Sequence, residues 1–287
     1  MKIENQIKDF RNYLVQLGYS KSSCYMLPEC VKDFLNYHNS NHTQEFNTDH
    51  ISQFYEWLQQ RPHKRKSGGL SEVYINHHVY ALRVFFNWLE DTGQINYNPI
   101  SAMKFKTPKH HPRQPLTLQE IQVLFESATT KRETALLHLF YSCGLRRNEA
   151  VSLNSRDIHF KQQLLYVREG KGAKRRAVPL TARVSKELES YYLEERIQVM
   201  ARDTEAFMLN KTGTRMSGNS YNRSLKAMLE RTQITKEASL HHLRHSIASH
   251  LLERGLTVEY VRDFLGHAFL ESTQIYTKVN QWQLNKL

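Results

Sequence analysis

The chain has 287 residues, and 40 Lys or Arg against 28 Asp or Glu give it a formal charge of +12 at neutral pH. This excess indicates an anionic partner, most simply a nucleic-acid backbone, and the length predicts two domains. The three cysteines have no Cys-x-x-Cys spacing, which argues against a disulfide framework or a cysteine zinc site. No apolar signal core opens the chain, and its most apolar run, residues 135–145, is too short to span a bilayer, so we expect a cytoplasmic protein.

The first hundred residues have the apolar spacing of helices. Four stretches repeat apolar residues every three or four positions, namely residues 7–17, 27–35, 51–58 and 73–89. The residues expected to begin the second, third and fourth helices are Ser22 or Ser23, Thr48 and Ser71. We predict an N-terminal helical bundle over residues 1–100.

Residues 101–115 are basic, interrupted by prolines and poor in apolar residues, which is typical of a linker. Such a linker could follow a phosphate backbone, although a solvated connector would have the same composition. A basic loop at 62–69 and a basic turn near 174 add to the positive charge. The cations predicted to contact DNA are Lys64, Arg65, Lys66, Lys104, Lys106, Lys109, Arg113, Arg147, Lys174 and Arg175.

Residues 116–287 are predicted to form a second, mostly helical domain with a small antiparallel sheet. Thr117 and Glu120 match a capping box at the start of its first helix. Two strands are expected at 164–168 and 176–180, and a third short strand at 207–209. The other predicted helices are 134–141, 181 to about 199, and those starting near Ser217, His241, Thr257 and Leu270. The predicted class is mainly α with two domains.

Several side chains of this second domain suit the cleavage of a phosphodiester. That reaction needs a nucleophile, positive charge on the non-bridging oxygens, and groups that donate and accept protons. Arginine suits the charge requirement because its planar fork matches phosphate. The candidates are Arg146 in Gly-Leu-Arg, Lys171 in Gly-Lys-Gly, His241 and Arg244 three residues apart, His267 in Leu-Gly-His, and Tyr276. Each motif is weak by itself, and only their joint occurrence is specific.

The order Arg, Lys on a hairpin, His-x-x-Arg, Leu-Gly-His and Tyr resembles the tyrosine recombinases, also called phage-type integrases, and most closely their Xer-like, small-integrase branch. The resemblance extends from about Thr117 to Tyr276. The N-terminal helices resemble the core-binding, SAM-like domain of the same family. The resemblance implies a site-specific recombinase that cuts and rejoins double-stranded DNA for integration, excision or dimer resolution, and works at the nucleoid.

The resemblance also implies a role for each candidate. Arg146 and Arg244 would clamp the scissile phosphate, and Tyr276 would attack it to form a 3′-phosphotyrosyl link. Lys171 would protonate the leaving 5′ oxygen, His241 would act as general acid and base toward the tyrosine, and His267 would hydrogen-bond the phosphate. Glu149 matches the acidic position that supports the site. No metal, ATP or other cofactor is implied, and strands would exchange through a Holliday junction in a tetramer whose C-terminal tails, residues 279–287, dock on neighbouring protomers.

Several alternatives are left open by the residues themselves. Arg147 competes with Arg146 and Lys174 with Lys171 for the same roles. A zinc site through His241, His245 and His267 is disfavoured, because no carboxylate lies between the first two and Arg244 would repel the cation. A type IB topoisomerase shares the chemistry but religates the same strand, and a recombinase descendant that only binds DNA would keep the fold.

Overall fold

The protein is described by a computed structural model over residues 3–40, 43–63, 67–107, 114–168, 175–199 and 205–266. The chain divides into two compact units, Met1–His111 and Pro112–Leu287. Helices predominate in both, which confirms the predicted mainly helical class. The predicted residues that lie outside the described ranges are Lys64, Arg65, Lys66, Lys109, Arg113, Lys171, Lys174, His267 and Tyr276, together with the helix expected from Leu270.

The first unit is a bundle whose helices pack their apolar faces around one aromatic core. Its helices are α1 (Ile3–Gln16), α2 (Lys21–His38), α3 (Thr48–Gln60) and α4 (Glu72–Asp91), with a short 3-10 turn at Thr43–Glu45. Phe10, Phe34 and Phe85 are completely buried at its centre. This burial follows from the 3.6-residue spacing of apolar positions, which places them on one face of each helix.

One helix start differs from the sequence-based prediction. Helix α2 is capped by Ser20, whose Oγ accepts a hydrogen bond from the Ser23 amide at 3.1 Å, and not by Ser22 or Ser23. Helix α3 begins at Thr48 as predicted, and the carboxamide oxygen of Asn47 caps it by accepting hydrogen bonds from two amides of the first turn. Both caps are side-chain acceptors just before the helix, which is the position where they can satisfy unpaired amides.

The second unit combines short helices with a three-stranded sheet. Its elements are α5 (Leu118–Glu126), α6 (Lys131–Leu137), α7 (Arg147–Ser152), β1 (Ile158–His159), β2 (Leu164–Val167), β3 (Arg176–Pro179), α8 (Ala182–Ser190), α9 (Gly218–Glu230), α10 (Leu240–Glu253) and α11 (Val258–Leu265). The strand order is β1-β2-β3 and both pairs are antiparallel, with Leu165 opposite Val178. The predicted capping box is confirmed at α5, where Thr117 and Glu120 exchange hydrogen bonds of 2.7 and 3.1 Å.

The third strand predicted at 207–209 is wrong. The backbone amide of Phe207 donates a hydrogen bond to the Leu153 carbonyl at 3.0 Å, and the segment forms only isolated β-bridges, at Ala206 and Leu209. It therefore packs in the core without extending the sheet. The helices predicted at 134–141 and 181–199 are confirmed, but each changes from α-helical to π-helical geometry part-way, at His138–Ser142 and at Tyr191–Glu195. Within the described residues, no helix is both long and apolar enough to cross a membrane.

Candidate active site

The site is built around Glu149, whose carboxylate is 2% exposed and lies in the first turn of α7. Arg146 immediately precedes α7, and its backbone amide donates to Glu149 Oε2 at 2.8 Å. The Arg146 guanidinium donates to Glu149 Oε1 at 2.7 Å and to the Gly266 carbonyl at 2.9 Å. The same carboxylate therefore caps the helix and orients the arginine that starts it.

A second arginine holds Glu149 from β3. Arg176 donates to both carboxylate oxygens, at 3.0 and 2.8 Å, in the bidentate geometry that suits a planar guanidinium. Its side chain is 9% exposed, whereas that of Arg146 is 21% exposed. Arg146 is thus the guanidinium of this pair that remains open to solvent, and Arg176 lies behind it.

The third arginine, Arg244, lies on α10 and is 7% exposed. Its guanidinium donates to the carbonyl of Gly144 and, at 2.6 Å, to the carbonyl of Leu265, and it lies 3.9 Å from Glu149 Oε2. These carbonyls belong to the turn before Arg146 and to the end of α11. Arg146 and Arg244 are therefore tied to adjacent carbonyls at the end of α11, and the packing of α10 and α11 holds them near one carboxylate.

Two glycines allow the turn before Arg146, the end of α11 and the Arg176 side chain to pack closely. Gly144 has φ of +58°, and a Cβ there would lie 2.6 Å from the Leu265 side chain. Gly266 ends α11 with φ of +69°, and a Cβ there would lie 2.9 Å from the Arg176 side chain. Both positions combine a left-handed backbone with a lack of space, so only glycine fits without displacing a neighbour.

The cluster carries an excess of positive charge. Three guanidinium groups and one carboxylate give these four side chains a net charge of +2. Burial alone would raise the pKa of Glu149, but hydrogen bonds and charges of Arg176 and Arg146 outweigh it and lower that pKa to about 2. Burial and the charges of Arg146 and Arg176 lower the pKa of Arg244 to about 9. An anion bound beside these arginines would relieve their repulsion, so the charge of the cluster suits an anionic ligand.

The other predicted residues fall in several places. His241 is exposed on the first turn of α10, three residues before Arg244, while its neighbour His242 is part of the helix cap, 2.8 Å from Ser239 Oγ. Arg147 is exposed and its side chain lies over Gly218, outside the cluster around Glu149.

The remaining described cations lie on the surface. Arg175 is exposed beside β3 in the second unit, and Lys104 and Lys106 are exposed in the first unit, with Lys106 2.5 Å from Glu72. In the described part of the chain, which includes His241 and His245 but not His267, no three His, Cys, Asp or Glu residues form a possible metal site.

Arg176 is the member of the cluster that sequence reasoning missed. A signal for it was present, because Arg176 and the buried Val178 are two residues apart on β3 and so share one face of the strand. An arginine on the inward face of a strand needs a buried partner, and a carboxylate is the natural one.

Comparison with known proteins identifies the family to which this chain belongs. The "Phage integrase family" matches residues 114–282, and the "Phage integrase, N-terminal SAM-like domain" matches residues 7–95. The chain belongs to the phage integrase family. Its sequence relatives are Xer tyrosine recombinases, which confirms the resemblance drawn from the motifs.

Two relatives and one solved structure show the extent of the similarity. The tyrosine recombinase XerC 2 of Ralstonia nicotianae is 38% identical over 205 residues, which cover 69% of this chain and only 59% of that protein. The tyrosine recombinase XerD of Oceanobacillus iheyensis is 31% identical over 99% of this chain and 97% of its own length. A lambda integrase dimer bound to a COC′ core site has the same fold, with a TM-score of 0.73, 16% identity, and coverage of 94% of this chain and 96% of that one.

Proposed function

We propose that this phage integrase family member is a site-specific DNA recombinase that cuts and rejoins strands through a covalent phosphotyrosine. The observation that carries the proposal is the cluster of Arg146, Arg176 and Arg244 around the buried Glu149, with its net charge of +2. A largely enclosed positive excess of this kind favours a phosphate, and the full-length similarity to a tyrosine recombinase supports a DNA phosphate in particular.

The proposed chemistry assigns Arg146 and Arg244 to the non-bridging oxygens of the scissile phosphate. Positive charge placed in advance at these oxygens stabilises the charge that develops in the transition state. Tyr276 attacks the phosphorus, a 3′-phosphotyrosyl bond forms, and the bond to the 5′ oxygen breaks. Lys171 gives that oxygen its proton, His241 accepts the tyrosine proton, and His267 hydrogen-bonds the phosphate.

The reverse attack by a 5′ hydroxyl from a second duplex completes the exchange. The phosphotyrosyl bond retains the energy of the broken phosphodiester, so we propose that the reaction needs neither ATP nor a metal ion. Exchange then passes through a Holliday junction in a tetramer. The tail of residues 279–287 docks on a neighbouring protomer, and the enzyme works at the nucleoid.

The proposed division of labour follows the predicted domains. Residues 1–100 form the core-binding, DNA-binding domain, residues 101–115 form a basic linker, and residues 116–287 form the catalytic domain with its tail. The cations proposed to contact the DNA backbone are Lys64, Arg65, Lys66, Lys104, Lys106, Lys109, Arg113, Arg147, Lys174 and Arg175. Such contacts are salt-dependent and carry little sequence information, so they set affinity more than site choice.

The test is a search for DNA covalently linked to the protein. Wild type and Tyr276→Phe are mixed with fragmented genomic DNA of the source organism, denatured, and examined for adducts, whose DNA ends are then sequenced. We expect an adduct from the wild type alone, and the sequenced ends supply the target site. An adduct that persists in the Phe variant would refute the choice of nucleophile, and no adduct from either protein would point to a missing partner or site, or to a protein that only binds DNA.

A second assay separates recombination from topoisomerase activity. Two duplexes carrying the recovered site are incubated with the full chain and with a variant lacking residues 279–287. We expect exchanged products from the full chain and DNA binding without exchange from the truncated chain. Relaxation of supercoils by wild-type monomers without any exchanged product would favour the type IB topoisomerase alternative.

A further inference from the structure

Arg176 connects three segments of the second unit. It begins β3, directly after Arg175. Its guanidinium binds both oxygens of Glu149, and its side chain packs against Gly266, where a Cβ would lie 2.9 Å from both its Cδ and its Nη1. One side chain thereby sets the spacing between β3, the start of α7 and the end of α11.

Arg176 also fixes the orientation of the Glu149 carboxylate between the other two arginines. Glu149 Oε1 accepts from Arg176 and Arg146, and Oε2 accepts from Arg176 and the Arg146 backbone amide. With both oxygens occupied in this way, Arg244 stays 3.9 Å from the carboxylate, beyond hydrogen-bond distance. Without Arg176, the carboxylate would lose two of these four hydrogen bonds and would be free to turn, which would displace the Arg146 guanidinium bound to it and change its distance from Arg244.

We propose that Arg176 is a positioning residue for strand cleavage, which fixes the Glu149 carboxylate and through it the placement of Arg146 and Arg244 at the scissile phosphate. Arg176 does not touch the phosphate in this scheme and acts through Glu149. Because the Arg176 side chain is less exposed than that of Arg146, 9% against 21%, its loss affects the reaction step more than the affinity for DNA. This inference rests on the proposed cleavage reaction.

The experiment measures single-turnover formation of the covalent adduct on a nicked duplex that carries the site recovered from wild-type adducts. The rate at saturating duplex and the Kd for the duplex are determined separately. The variants are Arg176→Met, Arg176→Lys, Glu149→Gln and the Met–Gln double variant. The matched control is Arg183→Met, which removes an exposed arginine of α8 that pairs with Glu187 at 2.9 Å and has no proposed role in DNA binding or cleavage.

We expect Arg176→Met to slow adduct formation by about 10- to 100-fold, the range for a misplaced catalytic group, with Kd within about threefold of wild type. Arg176→Lys, which keeps the charge but cannot form the bidentate pair, should be intermediate. In the Glu149→Gln background the further loss caused by Arg176→Met should shrink to less than about threefold, because coupled residues are not additive. The control should react like the wild type.

Three outcomes would overturn the inference. Wild-type rates in a folded Arg176→Met protein would show that the residue is dispensable. An equal loss with and without the Glu149 charge would show that Arg176 acts by general packing. If the Met variant does not fold, a wild-type rate in Arg176→Lys would overturn it. A wild type that forms no adduct would instead refute the proposed cleavage itself, so the two failures are distinguishable.

Discussion

The substitution Glu149→Gln tests how strongly the arginine cluster depends on its single carboxylate. Arg146 and Arg176 lower the pKa of Glu149 from its usual 4.5 to about 2 against the opposing effect of burial. The difference of about 2.5 pH units, at about 1.4 kcal/mol per unit, corresponds to about 3 kcal/mol of stability from the ionised form. Glutamine has the shape of the protonated acid, so the free energy of unfolding of the variant should be lower by about 3 kcal/mol near pH 7.

The sign of the pH dependence follows from the lowered pKa. The contribution of Glu149 is complete above pH 4.5, its usual pKa, and it is lost as the pH falls through the folded-state value near 2. The difference in free energy of unfolding between wild type and Glu149→Gln should therefore narrow from about 3 kcal/mol at pH 7 to about 2 kcal/mol at pH 3.5. The matched control is Glu230→Gln, whose carboxylate is 65% exposed and pairs with Lys226 at 3.5 Å, and it should change stability by less than about 1 kcal/mol.

The assay has to report on the second unit alone. Trp57 and Trp88 lie in the first unit and Trp282 belongs to the chain segment of the second, so tryptophan fluorescence would mix signals from both units. Hydrogen exchange of the α10 amides in increasing urea follows the packing around Arg244 directly. Equal free energies of unfolding for wild type and Glu149→Gln at pH 7, or a gap that widens toward pH 3.5, would refute the stabilising role of the ionised Glu149 carboxylate.

Three further predictions concern the backbone, the first unit and a helix cap. Gly144→Ala should destabilise the second unit by about 1–3 kcal/mol in urea unfolding, because its Cβ would lie 2.6 Å from Leu265; an unchanged unfolding midpoint would show that α11 can move aside. Asp33→Asn should lower the pKa of His78 from its raised value of about 9 in an NMR titration, because burial opposes the charge and the Asp33 hydrogen bond offsets it more than Cys30 or the Tyr74 backbone does; a pKa that stays near 9 would contradict this. Thr117→Ala should cost about 1 kcal/mol in the same urea assay through loss of the α5 cap, and a loss below the error of the measurement would count against the capping box.

Local patterns predicted most of the secondary structure. The apolar spacing of the first hundred residues identified all four long helices, and Thr117 was recognised as a cap because it needs only Glu120 three residues away. The errors occurred where long-range packing overrides local preference. Phe207 is apolar, as a buried strand residue would be, but its backbone amide bonds to the Leu153 carbonyl outside the sheet and its ring packs in the core.

The motifs also placed part of the candidate site. Arg146 and Arg244 were singled out in Gly-Leu-Arg and His-x-x-Arg, and the structure holds both beside Glu149. Arg147 was a rival from the sequence alone, because adjacent residues of the same type cannot be distinguished without knowing which one faces the core. The structure places Arg147 on the surface and Arg146 in the cluster.

By itself the sequence determined the helical class, the positions of most elements and the family, because these depend on periodicity, caps and motifs that act over a few residues. Only the tertiary structure decided which charges meet. Arg176 is 27 residues from Glu149, and Arg244 is 100 residues from the carbonyl of Gly144 that it binds. Contacts over such distances depend on how α7, β3, α10 and α11 pack, and the arrangement of three arginines around one carboxylate is a consequence of that packing.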